Sequence, residues 1–148
     1  MSVDIEVQFA CTSCAVPTEK QFENWISAVL PSGESAEVLI RLVDSEESRQ
    51  LNARYRNLDK PTNVLSFPAD LPQEVDLPLL GDIVICGPLV EAEAAAQGKS
   101  VESHWAHLTI HGLLHLRGYD HQEEVQAAEM ETLETTLLRQ LGFPDPYQ

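Results

Sequence analysis

The chain has 148 residues, of which 43% are hydrophobic and 22% charged, which is the composition of an ordinary globular protein long enough to bury a core without disulfide bonds. No apolar run approaches the roughly 20 residues that a membrane helix needs, and the first residues lack a secretory signal, so we expect a cytoplasmic protein with no membrane partner. The net charge of −15 disfavours indiscriminate binding to nucleic acid, which depends on neutralising phosphates, and we expect no binding to DNA.

The first half of the chain alternates strands and helices. Apolar and polar residues alternate over residues 3–9, which predicts a half-buried strand. Thr18 and Gln21 have the spacing of a capping box and mark the start of a helix. The β-branched stretch of residues 37–43 predicts a second strand, and a second helix follows it as far as Arg56.

The second half of the chain changes from strands to helices. Residues 64–67 and 83–86 are interpreted as strands, and the proline-rich, acidic residues 68–78 between them as an exposed loop. The last three helices are predicted over residues 88–98, 100–116 and 122–141. We find no linker or repeat and expect a single domain over residues 1–148. Its predicted fold is α/β of the α+β type, a small mixed four-stranded sheet covered by about five helices.

The three cysteines are Cys11, Cys14 and Cys86. An odd number of cysteines in a chain without an export signal argues against a disulfide framework. Cys11 and Cys14 form a CxxC pair, but no second pair completes a four-cysteine zinc site. We therefore expect two reduced thiols in a loop rather than a redox or metal centre.

Four of the nine Lys and Arg residues fall in one short stretch: Arg49, Arg54, Arg56 and Lys60. The most basic stretch of an acidic protein is a candidate binding site for an anion. Composition alone nevertheless favours the simpler interpretation, which is a solvated helix face.

All five histidines fall in one window: His104, His107, His111, His115 and His121. His111 and His115 are four residues apart, so a helix places them on one face, about one turn apart. Gly118 can adopt the positive φ that ends a helix, so that the chain turns back and His121 supplies a third nitrogen. Three protein ligands with an open fourth position are typical of catalytic zinc. We therefore predict that His111, His115 and His121 hold one Zn²⁺ ion.

The spacing HxxxHxxGxxH is that of the metzincin peptidases, which carry a glutamate general base directly after the first histidine. Gly112 occupies that position here, so the pattern supports the metal site and argues against peptidase chemistry. A glycine there suggests close approach of a substrate or of another backbone. His107 lies roughly 12 Å from His115 along the helix axis, too far to share its ion. It is either an ordinary packed histidine, the simpler interpretation, or a residue that contacts substrate or supports a ligand.

With these residues in view, the chain resembles the YbeY family of bacterial endoribonucleases and ribosomal RNA maturation factors. The resemblance covers nearly the whole chain. It is most specific in two blocks, Tyr55–Pro68 and His111–His121. The Leu80–Ile83 segment and the Met130–Glu134 segment agree with the family as well. The Cys11–Cys14 pair departs from the family pattern.

The resemblance implies an α/β fold and one zinc ion bound by the histidines that match His111, His115 and His121. It implies cleavage of single-stranded RNA, a role in maturation of the 3′ end of small-subunit rRNA, and a part in ribosome quality control. Arg56 and His111 match residues that are regarded as functionally essential in the family. The partners implied are rRNA, the small ribosomal subunit and its associated proteins.

The arginine and the metal site suggest a mechanism for phosphodiester hydrolysis. Zinc would polarise a phosphoryl oxygen or lower the pKa of a bound water, and Arg56 would stabilise the charge that develops on phosphorus. The general base stays open among water, His107, Asp82 and the RNA 2′-hydroxyl. Further candidates for contacts to substrate are Arg54, Lys60 and His107. Two alternative functions are a non-catalytic ribosome-assembly factor with a structural metal and a zinc hydrolase of another substrate class.

Overall fold

The structure is a computed structural model that describes residues 3–12, 14–30, 35–69, 79–119 and 124–147. Within these residues the strands are β1 (Val3–Ala10), β2 (Ala36–Val43), β3 (Val64–Pro68) and β4 (Leu79–Cys86). The helices are α1 (Glu19–Val29), α2 (Ser45–Arg56), α3 (Gly87–Gln97), α4 (Val101–Leu116) and α5 (Glu124–Gln140). The expected mixed α/β fold is therefore confirmed. Most of the predicted loop over residues 68–78 lies outside the described residues.

The four strands form one mixed sheet in the order β1-β2-β4-β3. β1 and β2 pair in parallel, β2 and β4 pair in parallel, and β3 runs antiparallel to β4 at the edge. β4 is longer than predicted because it continues through Gly81, which the sequence pattern marks as a boundary. A Cβ atom at Gly81 would lie only 2.3 Å from the carbonyl oxygen of Phe67, so a close backbone approach explains the glycine inside the strand.

The two faces of the sheet are covered by different helices. Successive side chains of β4 point to opposite faces. Ile83 and Ile85 belong to the larger core cluster, which includes residues of α1, α4 and α5. Val84 and Cys86 belong to a smaller cluster into which Leu51 of α2 packs. The chain thus places α4 and α2 on opposite faces of one sheet.

α4 is the central helix of the larger layer. Its buried residues occur all around the helix rather than on one stripe, which is typical of a helix enclosed by other elements. They include Trp105, Ile110, Leu113 and Leu114. The few partly exposed positions on this helix are therefore well defined, and they include His107, His111 and His115.

Local capping signals explain several boundaries. Thr18 and Gln21 form the predicted capping box at the start of α1, with the Thr18 N–H donating to Gln21 Oε1 at 2.8 Å. Gly118 has a φ of +98°, and its N–H donates to the carbonyl of His115 at 3.0 Å, which ends α4 as expected. None of the described helices combines the length and the hydropathy needed to cross a lipid bilayer.

The expectation of two reduced thiols at the CxxC pair is wrong: Cys11 and Cys14 form a disulfide. That expectation rested on the number of cysteines and on the cellular compartment, which do not determine local geometry. Beyond the end of β1 the chain turns so that the two Cα atoms lie 6.5 Å apart, within the roughly 4.4–6.8 Å range of disulfides. Cys86 is a buried free thiol on β4.

Candidate active site

Two histidines of α4 face the same side of the helix, as their spacing predicts. The ring centroids of His111 and His115 lie 4.8 Å apart, with the ring planes at 79°. Both side chains are half-buried. Directly after them, α4 ends at Leu116, and Gly118 has a positive φ. His121, the expected third ligand, lies outside the described residues.

These two histidines line a cavity of about 280 Å³ together with Arg56. The three side chains come from two elements, since Arg56 is the last residue of α2 and both histidines belong to α4. The remaining lining residues carry no charge and are Thr62, Asn63, Val64, Ser66 and Pro68. The fold therefore joins an arginine and two imidazoles at one small, polar cavity.

Two buried polar side chains of α2 hold its end beside the turn that precedes β3. The Ser48 hydroxyl donates to the carbonyl of Thr62 at 2.7 Å and accepts from the Thr62 N–H at 2.9 Å. The Asn52 amide donates to the carbonyl of Lys60 at 2.9 Å. These contacts fix the position of Arg56 relative to the turn. Sequence reasoning missed both residues, although their i, i+4 spacing puts them on one helix face.

A buried glutamate that sequence reasoning did not single out contacts two histidines of α4, His107 and His111. Glu134 of α5 has a fully buried side chain. Its Oε2 lies 3.1 Å from His111 Nδ1, and its Oε1 lies 2.6 Å from His107 Nε2. The Tyr147 hydroxyl also donates to Oε1, at 2.7 Å. The agreement of the Met130–Glu134 segment with the family was the one available signal for this residue.

The hydrogen bonds to Glu134 determine its charge and the orientation of His111. Burial by itself raises the pKa of the Glu134 carboxyl, but the hydrogen bonds and charges of His107 and His111 outweigh burial and lower the pKa to about 2. An ionised carboxylate accepts the proton of His111 Nδ1, which leaves Nε2 with a lone pair that can bind a metal. Burial and the hydrogen bond to Glu134 raise the pKa of Tyr147.

The site contains a set of donors that suits a metal ion. His107, His111 and Glu134 each offer one ligand atom, and these atoms lie within 4.8 Å of one another. Imidazole nitrogens with a carboxylate oxygen are ligands for zinc and for other first-row transition metals. The N–O separations of 2.6 and 3.1 Å are hydrogen-bond distances, so a metal between these atoms would require them to move apart.

Of the described residues, the other predicted site residues do not line this cavity. Arg54 lines a different cavity of about 790 Å³, bordered by α2 and by Arg41. His107 points to Glu134 instead of the cavity. Lys60 is exposed in the turn before the cavity. Asp82, a candidate general base, lines a third cavity next to β1 and β2.

Gly112 is required by the packing of α4 on the sheet. A Cβ atom at this position would lie 2.9 Å from Ile83 Cγ2, and the Gly112 carbonyl accepts a hydrogen bond from the Ser66 hydroxyl at 3.0 Å. The close approach inferred from the sequence is thus made by β3 and β4. A glutamate side chain would not fit there, so the position of the peptidase general base is closed.

Comparison with known proteins agrees with this geometry. The family model described as endoribonuclease YbeY matches residues 7–142. The chain belongs to the YbeY endoribonuclease family. A Thermotoga maritima protein, determined in solution, is similar over 93% of this chain and 88% of its own, with 28% sequence identity and a TM-score of 0.60. Membership in the YbeY family supports an endoribonuclease role in rRNA maturation.

Proposed function

We propose that residues 1–148 form one zinc-dependent domain that cleaves single-stranded RNA in the cytoplasm. Its roles would be maturation of the 3′ end of small-subunit rRNA and ribosome quality control, with the small subunit and its proteins as partners. The observation that carries this proposal is the shared cavity of Arg56, His111 and His115. Arg56 is distant in the sequence from the two histidines, and a purely structural metal site would not need an arginine beside it.

We assign the metal ligands to His111, His115 and His121. A zinc ion bound there supplies a Lewis acid for the phosphodiester and an acidic water. Glu134 orients His111 through Nδ1, as carboxylates commonly do for metal-binding histidines. The competing set is His107, His111 and Glu134, which requires Glu134 to exchange its hydrogen bonds for a metal bond.

Arg56 is the residue that we expect to bind the scissile phosphate. Its planar guanidinium matches two phosphate oxygens and stabilises the charge that grows on them during hydrolysis. Within the described part of the chain, no acidic residue forms an ion pair with Arg56, whereas Arg49 is paired with both Glu46 and Asp59. The Arg56 guanidinium is therefore available to an anion.

The size of the cavity favours a single strand. About 280 Å³ is at the lower end of ligand sites and accommodates a phosphate with part of its neighbouring nucleotides. A single strand presents unpaired bases and a flexible backbone that can enter such a space. Thr62, Asn63 and Ser66 offer uncharged hydrogen-bonding groups along the lining.

Of the four candidates for the general base, water and the RNA 2′-hydroxyl remain, and each is also a nucleophile. His107 is engaged by Glu134, and Asp82 lines a cavity on another part of the sheet, so neither of these protein groups borders the Arg56 cavity. As nucleophiles, these two groups give different product ends. A 2′,3′-cyclic phosphate results from attack by the 2′-hydroxyl, while attack by water leaves a simple phosphate end.

The direct test is cleavage of one defined single-stranded RNA by zinc-loaded wild type and by His111→Ala, with metal content measured in both. We expect cleavage by the wild type and loss of both zinc and activity in the variant. Equal cleavage by the two proteins would indicate a contaminating nuclease and reject the proposed activity. Unfolding of the wild type on chelation would instead favour the assembly factor with a structural metal.

A further inference from the structure

The disulfide Cys11–Cys14 lies at the end of the molecule where β1, β2 and β4 reach the starts of α2 and α3. Both cysteines are half-buried. Asp44 directly precedes α2, whose last residue is Arg56. A helix of 12 residues is about 18 Å long, so the pair is well separated from the cavity of Arg56. Nothing in the proposed RNA chemistry uses these two cysteines.

The two sulfur atoms of the disulfide fill the space beside Gly87, so that no side chain fits at position 87. Gly87 is the first residue of α3, and a Cβ atom added to it would lie 2.1 Å from Cys14 Sγ and 2.7 Å from Cys11 Sγ. The sulfur atoms therefore pack directly on the backbone of Gly87. Any larger residue at position 87 would displace the disulfide.

A carboxylate lies beside the same pair. Asp44 Oδ2 accepts hydrogen bonds from the Thr12 N–H at 3.2 Å and from the Thr12 hydroxyl at 3.0 Å. Asp44 Oδ1 lies 3.3 Å from Cys11 Sγ. In the reduced state, the Cys11 thiol can therefore donate its proton to this carboxylate. Cys11 also packs against the larger core cluster, which makes Cys14 the more available sulfur.

A structural role explains this disulfide poorly. The stabilisation that a disulfide provides through the unfolded chain grows with the length of the loop that it closes, and these cysteines are only three residues apart. The buried core clusters are formed by other residues. Closely spaced cysteines in a CxxC arrangement are, in contrast, suited to thiol–disulfide exchange.

We propose that Cys11 and Cys14 form a reversible dithiol–disulfide couple that exchanges with a small disulfide such as glutathione disulfide. The Cys14 thiolate attacks one sulfur of glutathione disulfide, whose S–S bond breaks, and one glutathione leaves as a thiolate. Cys11 then transfers its proton to Asp44 and attacks the Cys14 sulfur, which expels the second glutathione. Two electrons pass from the protein to glutathione disulfide, and the products are the protein disulfide and two glutathione thiols once protons re-equilibrate with water.

The test is a redox titration of the full-length protein in glutathione buffers, followed by rapid alkylation and intact-mass measurement. We expect a single two-electron transition in which two alkylation sites disappear together. Cys86→Ser, which removes the buried free thiol, should leave the transition unchanged. A pair that stays reduced in glutathione disulfide alone, or that stays oxidised in excess reduced glutathione, overturns the proposal.

Single variants then separate the roles of the two sulfurs. Cys11→Ser should accumulate a mixed disulfide of one glutathione on Cys14, and Cys14→Ser should form its adduct on Cys11 about tenfold more slowly. Equal rates overturn the assignment of Cys14 as the attacking sulfur. Gly87→Ala should shift the midpoint toward the dithiol, with circular dichroism as the folding control. If Gly87→Ala does not fold, the titration of the wild type and of Cys86→Ser still decides the proposal.

Discussion

The two cavities that border α2 differ in what surrounds their arginines. Arg54 and Arg56 are two residues apart on one helix, so a rotation of about 200° around the helix axis separates their side chains, which point to nearly opposite sides. Arg54 lines the larger cavity, whose other residues include three acids, Asp44, Glu46 and Glu47. Arg56 lines the smaller cavity, whose lining is neutral apart from the two histidines.

Volume is therefore a poor guide to an anion site in this protein. A phosphate placed about 4 Å from one carboxylate meets a repulsion of roughly 1 kcal/mol in water and about 4 kcal/mol near a protein surface. Several carboxylates border the larger cavity, and Glu47 already pairs with Arg41 there. The smaller cavity offers positive charge without that opposition, and a group of donors that suits a metal ion adjoins it.

The largest effect should come from removing a metal ligand of the smaller cavity. If His111, His115 and His121 hold the ion, His115→Ala should lose nearly all bound zinc and all RNA cleavage. His107→Ala should retain zinc because its ring contacts Glu134 outside the cavity. Metal content after dialysis, measured by elemental analysis, checks both. The opposite pattern would assign the ion to His107, His111 and Glu134.

The next largest effect on RNA cleavage should come from replacing the arginine of the smaller cavity. Arg56→Ala should lower the rate of RNA cleavage about 10²- to 10³-fold because it removes a group that stabilises transition-state charge, while zinc content is unchanged. Arg54→Ala is the matched control, a loss of the same charge from the same helix, and should change the rate by less than about threefold. Similar losses in the two variants would mean that general positive charge, and not the cavity, binds the RNA.

Replacing Glu134, which contacts His111, should have an intermediate effect, which is on zinc affinity. Glu134→Gln keeps the shape of the side chain but removes the charge that orients His111, and we expect roughly 10- to 100-fold weaker zinc binding. Competition with a chelator of known affinity measures the change. Glu129→Gln on the exposed side of α5 is the control. Unchanged zinc affinity in Glu134→Gln would show that the hydrogen bond to His111 Nδ1 does not contribute to metal binding.

The smallest expected effect concerns the packing of α4 on the sheet. Gly112→Ala should destabilise the protein by about 1–3 kcal/mol because the added methyl group overpacks α4 against Ile83. Helix propensity alone predicts the opposite sign, a gain of about 1 kcal/mol. Urea denaturation of both proteins therefore decides between tertiary packing and helix propensity. A stabilised variant would show that α4 has room to move away from the sheet.

Much of the fold followed from local patterns. The capping box at Thr18, the alternation in β1 and the glycine that ends α4 each depend on residues within a few positions of one another, and the structure confirms them. The spacing of His111 and His115 likewise requires them to share a face, because a helix has 3.6 residues per turn. Family resemblance added Arg56, which composition alone did not distinguish from its neighbours.

The positions of Glu134 and Arg56 relative to the histidines depend on tertiary structure alone. Glu134 reaches His111 because α5 packs on α4, and Arg56 reaches the same cavity because Ser48 and Asn52 hold α2 to the turn before β3. The contact of the disulfide with Gly87 has the same origin, since it depends on where β4 ends relative to β1. Helix and strand periodicity relate residues that are close in sequence. Contacts between distant residues depend on how the layers pack, and no local pattern encodes that packing.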